Sequence, residues 1–243
     1  SPSASPEQAV EEAATTIRDL LRSAAAVLPK IAIAIALLAI AALLASLIKP
    51  LLRRALGSWS KAQRMAFLIN AYNAFTLEKI LMRYPEIRSI WDFGKLFGNP
   101  FKDRFFTLLG RRMSLDDIEH SMLRQPGAYD EPRVHYAVNC ASIGCPMLRE
   151  EAYVPERLEP QLEEQARRFL SDRQRNRYDP ATGRLEVSEI FKWFRQDFEP
   201  LERYFARYAP LLADEPGHRR LVVEGRAPIV HLEYDWTLND ARQ

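Results

Sequence analysis

The amino-acid sequence specifies an α+β fold: a helix-rich domain with a small antiparallel sheet, preceded by a hydrophobic N-terminal helix. Three patterns point to it. Apolar residues recur at helical spacing after residue 60, short β-type runs are split by turn residues, and residues 31–48 carry no charge at all. With 243 residues the chain is one large domain or a domain with an appendage, and it is long enough to bury a core without a disulfide scaffold. Hydrophobic residues make up 47% and charged residues 27%, and the net charge is +2, so no sequence-wide case exists for a nucleic-acid partner.

Taken in order, residues 1–6 read as a polar lead-in and residues 7–27 as a helix, with Glu11 and Glu12 early and Arg18 and Arg22 late, as the helix dipole favours. The 18 uncharged residues 31–48, closed by Lys30 and Lys49, reach the lower limit for a bilayer span of about 20. They are expected to anchor the chain in a membrane. Nearby cations (Arg18, Arg22 and Lys30 before the run; Lys49, Arg53, Arg54, Lys61 and Arg64 after it) weakly place the C-terminal part on the cytoplasmic side. The expected organisation is therefore a helical segment over 1–56 and a folded domain over 57–243.

Within that domain, Met65, Leu68, Ile69, Tyr72, Phe75, Leu77 and Ile80 define an amphipathic helix that Pro85 stops. Residues 105–109 and 111–113 around Gly110 read as a hairpin. Ser114 with Asp117 is a capping-box-like start for a helix that ends near Arg124. Residues 134–140 read as a buried strand, 155–173 as a helix with a charged face, and 185–187 as a strand after the turn at 179–183. Residues 188–198 and 201–208 read as short helices, and 229–234 as a closing strand.

Chemistry concentrates at the two cysteines, Cys140 and Cys145. Two thiols are too few for a structural zinc site, so they are a reactive pair, a local disulfide or buried fillers. His135 is the nearest imidazole in sequence, and an imidazole is the usual device for lowering a thiol pKa. On a strand, His135 and Cys140 face opposite sides, whereas Cys145 is free of that constraint, so either thiol remains open as its partner. Asn70 and Asn73 share a helix face with Tyr72 and need hydrogen-bond partners if buried. Asp116, Asp117, Glu119 and His120 match no standard ligand spacing, so no metal is expected, and no cofactor. His218 and His231 read as structural.

The phrases AFLINAYNAFT (66–76), SLDDIEH (114–120), HYAVNCASIGCP (135–146) and YDWTLN (234–239) resemble those of the domain-of-unknown-function 547 family, in order, over residues 58–240. The resemblance implies a His/Cys centre with the flavour of papain-like thiol hydrolases. It also implies an exported, bacterial setting, which runs against the charge bias above. Residues 1–56 fall outside it. On this basis Cys140 is expected to be a nucleophile, with Cys145 its alternative, and His135 the base. Glu119 or Asn73 is expected to orient the imidazole. Asn70, Tyr72, Asn139, Ser142 and Cys145 are expected to line the binding site, with Asn139 and the amides after Cys140 stabilising an oxyanion. The expected activity is that of a cysteine-dependent hydrolase or acyltransferase on small peptide-like or thiol-containing amides. The alternatives are a membrane-tethered binding module with structural cysteines and a dithiol redox protein.

Overall fold

Ser60 starts helix α1, Lys61–Leu81: its hydroxyl accepts from Gln63 N at 3.2 Å while the Gln63 side chain accepts from Ser60 N at 2.8 Å. The computed structural model describes residues 58–240, together with Ala39, Ile40 and Leu43. The chain divides between Gly57 and Ser58. Apart from those three positions, the 1–56 segment and its charge-free run 31–48 lie outside the described residues. Among the described residues, no helix is long and apolar enough to cross a membrane.

Helix α1 buries Met65, Leu68, Ile69, Tyr72 and Ile80, as their spacing predicts, and with them Asn73 and Thr76. Leu77, expected on the same face, is 45% exposed. A 3-10 segment follows over Ile90–Phe97. Strands β1 (Phe106–Leu108) and β2 (Arg111–Met113) form the expected hairpin, Phe106 opposite Met113, and its turn takes Leu109 and Gly110 to φ 52° and 76°. Helix α2 (Leu115–Ile118) begins at the Ser114–Asp117 capping box. It then widens into a single π-helical turn, Glu119–Leu123, a device common at functional sites.

The expected strand over 134–140 is absent. Val134–Ala137 is instead a short helix, α3, which the chain leaves at Val138 with extended φ −86° and ψ 131°. Strand-type composition lost here to tertiary packing, because all four residues of α3 are buried, on faces that point in different directions.

The second half supplies α4 (Leu158–Leu170), entered through a 3-10 turn at Pro155–Arg157, and a sheet ordered β3-β4-β5. Strands β3 (Arg177–Asp179) and β4 (Arg184–Ser188) pair antiparallel, but β4 and β5 (Ile229–Leu232) pair parallel, so the sheet is mixed. The reason is the connection. Helices α5 (Ile190–Trp193), α6 (Leu201–Arg207), α7 (Ala209–Leu212) and α8 (Pro216–Val223) intervene, long enough to bring β5 back in the direction of β4. Neither α7 nor α8 is among the helices expected from the sequence.

Two apolar clusters result. One gathers around α1 and includes Val134, Ala137 and Val138; the other gathers around Phe169, Phe191, Tyr204 and Phe205 and includes Tyr136. Segment 134–141 therefore runs along their seam. Cys140 packs on the second cluster, Ala141 on the first, and Trp236 on both.

Candidate active site

A cavity of about 410 Å³ opens at this seam. Cys140, Cys145, His135, Glu119 and Tyr72 line it, under a wall of Trp91, Phe101, Trp193, Phe194, Tyr234 and Trp236. Cys140 is half-buried and Cys145 buried, and both are free thiols.

Cys140 is held by the chain's closing segment. Its Sγ lies 3.1 Å from both Ser142 Oγ and Tyr234 OH, which are themselves 3.1 Å apart. Segment 235–239 is stitched to 141–144 by Ile143 N to Thr237 O at 2.8 Å, Gly144 N to Asp235 O at 2.8 Å and Asn239 N to Ala141 O at 2.9 Å. Gly144 is required for this approach: a Cβ there would sit 3.0 Å from Asp235 O and from the Tyr234 ring. Directly after the thiol, Ala141 takes a left-handed φ of 62°, a strained state for a residue with a Cβ, supported by its N–H donating to Asn139 Oδ1 at 2.8 Å. Burial opposes ionisation of Cys140, but donors from Cys145, Ser142 and Tyr234 outweigh it and bring the thiol down to about 6. Burial pushes the Cys145 thiol up, although its Sγ accepts from Cys140 N at 3.0 Å. Of the two, Cys140 is the one that carries the charge.

His135 lines the same cavity, but no hydrogen bond joins it to the Cys140 thiol, whose partners are the two hydroxyls. Its Nε2 lies 2.7 Å from Asp197 Oδ2. Asp197 is also held by Arg124, whose Nη2 donates to Oδ1 at 3.1 Å. Burial works against the charge of Asp197, yet His135 and Arg124 keep its carboxyl far below the usual range. Burial drives the His135 pKa down despite Asp197, which favours the neutral ring. Asp197 accepts from Nε2–H, which leaves Nδ1 as a lone pair with no hydrogen-bond partner, 3.9 Å from Glu119 Oε1. Phe194 stacks on the imidazole at 4.0 Å and 18° and carries the Arg124 guanidinium 4.5 Å from its centroid.

Glu119, on the π turn, is buried, and burial raises its pKa to about 7 against the pull of Arg124 and a hydrogen bond from Tyr72. Burial, then the Glu119 charge, raises the Tyr72 hydroxyl.

The asparagines do other work than expected. Asn73 does not orient the imidazole: its Nδ2 donates to Ala137 O at 2.9 Å and its Oδ1 accepts from Asn139 N at 2.8 Å, pinning the exit of α3. Asn70 exchanges two hydrogen bonds with the Tyr153 backbone, at 2.8 and 2.9 Å. The Asn139 side chain is spent on Pro146 O and Ala141 N. Most of the backbone amides after Cys140 are likewise taken, by Asn139 Oδ1 at Ala141, Thr237 O at Ile143, Asp235 O at Gly144 and Ser142 O at Cys145, and the amide of Cys140 itself donates to Cys145 Sγ. Replacing Asn73 with Ala strands two buried backbone groups. The expected loss is about 2–4 kcal/mol of unfolding free energy in a urea titration; a change under 1 kcal/mol would show that the pin is dispensable.

Three parts of the site had no sequence signal strong enough to name them: Asp197, Tyr234 and the tryptophan wall. The phrase YDWTLN marked Tyr234 and Trp236 as part of a resemblance, but nothing local tied them to Cys140. Among the described residues, no group of three or more His, Cys, Asp and Glu side chains is arranged to hold a metal ion.

No curated protein and no solved structure matches the chain, so the papain-like expectation gains no support from a shared fold. Residues 56–170, which carry α1, Glu119, His135 and both cysteines but not Asp197, Tyr234 or Trp236, match the family described as "Protein of unknown function, DUF547".

Proposed function

We propose that this chain is a cysteine-dependent acyl-transfer enzyme, a hydrolase or acyltransferase acting on peptide-like or thiol-containing amides, with Cys140 as nucleophile. The observation that carries this reading is a thiol brought down to about 6 by donors from Cys145, Ser142 and Tyr234, in an aromatic cavity shared with an imidazole whose charged form burial disfavours. The Cys140 thiolate attacks the substrate carbonyl and forms a C–S bond. The C–N bond then breaks, and the leaving amine takes the proton of Glu119, which near neutral pH is still partly the acid. In the second half, His135 Nδ1 takes a proton from water or an acceptor amine as its heteroatom attacks the thioester. The C–S bond breaks, the thiolate returns, and the proton passes to Glu119, 3.9 Å away. Asp197 is a positioning residue: it fixes the tautomer of His135.

p-Nitrophenyl acetate tests the reading. A burst of about one equivalent of nitrophenolate is expected, with an acetyl group located on Cys140 by mass spectrometry, and none from Cys140→Ser. The burst rate should rise with pH through about 6 as Cys140 ionises. With an amide substrate it should fall again through about 7 as Glu119 loses its proton. No burst, or an acetyl group on Cys145, overturns the assignment. One observation favours a second reading: Cys145 Sγ sits 3.0 Å from Cys140 N, close enough to its neighbour for dithiol redox chemistry. A disulfide between the two that cycles under mild reductant while the burst is absent would select it.

A further inference from the structure

The cavity above Cys140 is built for a particular kind of ligand. Trp91, Phe101 and Trp236 form a corner, with centroids 5.4, 5.9 and 6.1 Å apart and planes crossing at 85°, 75° and 56°. Trp193 extends it, parallel to Trp236 at 5.6 Å and 20°. Trp91 and Trp193 keep 40% and 38% of their surface in solvent, so their rings remain available to a ligand. The wall leads to the reactive sulfur through Tyr234, whose ring is 4.6 Å from Trp236. Asp116 stands beside this corner, because its N–H donates to Phe101 O at 2.9 Å, and it lines the cavity with Glu119. Among the described residues no Lys or Arg lines the cavity; His120 does, its Nε2 3.4 Å from Asp116 Oδ1, but burial disfavours its charged form, and the Arg124 guanidinium, 4.5 Å from the Phe194 ring, is engaged by Asp197. The buried, unpartnered Nδ1 of His135 also belongs to this cavity.

Aromatic faces present negative quadrupoles, and a carboxylate beside them with no competing cation selects a positive organic group over a neutral one of equal shape. We propose that the cavity recognises an alkylammonium group, so that the amide acted on carries a cationic amine close to its scissile bond. The term "acted on" rests on the acyl-transfer reading; the ammonium site itself does not.

The test therefore measures binding, on the full chain. Tetramethylammonium chloride is titrated at constant ionic strength and followed by tryptophan fluorescence, with tert-butanol as neutral isostere. Saturable quenching is expected, with the isostere about tenfold weaker or worse. Asp116→Asn and the surface variant Trp193→Leu should each weaken the ammonium severalfold. Equal binding of the isostere, no saturable quenching, or unchanged affinity in both Asp116→Asn and Trp193→Leu overturns the site. Ammonium binding without any acyl burst leaves this inference standing and removes the acyl-transfer reading; a burst without ammonium binding does the reverse.

Discussion

Iodoacetamide is expected to label Cys140 in the folded chain with a midpoint near pH 6 and to spare Cys145 until the protein unfolds. The half-buried Cys140 thiol has two hydroxyl partners at 3.1 Å, whereas Cys145 is 3% exposed and its burial disfavours the thiolate. Tyr234→Phe removes one donor to a charged group, and the midpoint should climb by about one to two pH units. His135→Ala should leave it nearly in place, because the imidazole makes no hydrogen bond to the sulfur. That combination separates this site from a thiolate–imidazole pair, in which His135→Ala would raise the midpoint and Tyr234→Phe would not. Turnover should fall by at least about 10⁴-fold in Cys140→Ser if the thiol is the nucleophile. A labelling midpoint near the unperturbed value of about 8.5 would remove the basis for assigning Cys140.

Glu119→Gln is expected to stabilise the fold at alkaline pH and to slow amide turnover in the same variant. The carboxyl is buried, and its pKa rises from 4.5 to about 7 on folding. The sign follows from proton counting. Between those two values the native state holds a proton that the unfolded chain has released, so stability declines as pH rises from 4.5 and levels off above 7. The full decline amounts to about 3 kcal/mol, an order-of-magnitude figure. Glutamine keeps the shape of the protonated acid without the charge. Urea unfolding at pH 8 should show the variant more stable by a large part of that amount, and at pH 4 the two proteins should coincide. Equal stability at both pH values would mean that Glu119 is solvated well enough to ionise freely and cannot serve as an acid near neutrality. Stabilisation with loss of function in one substitution is what a strained functional carboxylate produces.

Local signals carried much of the fold. The capping boxes at Ser60 and Ser114, the 3.6-residue spacing from Met65 to Ile80, and the Gly110 hairpin are interactions between residues a few positions apart, so they are written directly in the chain. Cys140, His135 and Glu119 were legible for the same reason: each sits in a short phrase whose residue types suggest chemistry. Other features depended on contacts across 44 residues or more. Val134–Ala137 became a helix because two cores claim its faces, and Asn73 was recruited from 64 positions away to hold its exit. Strand β5 pairs parallel because four helices intervene. Asp197 reaches His135 over 62 positions and Tyr234 reaches Cys140 over 94, so no local pattern could have named either as a partner. By itself the sequence determined helices α1, α2, α4, α5 and α6, the hairpin and which residues have reactive side chains. Only the tertiary structure decided which of those side chains meet, and so which thiol is charged, because pKa values and pairings depend on burial and distance rather than on order along the chain.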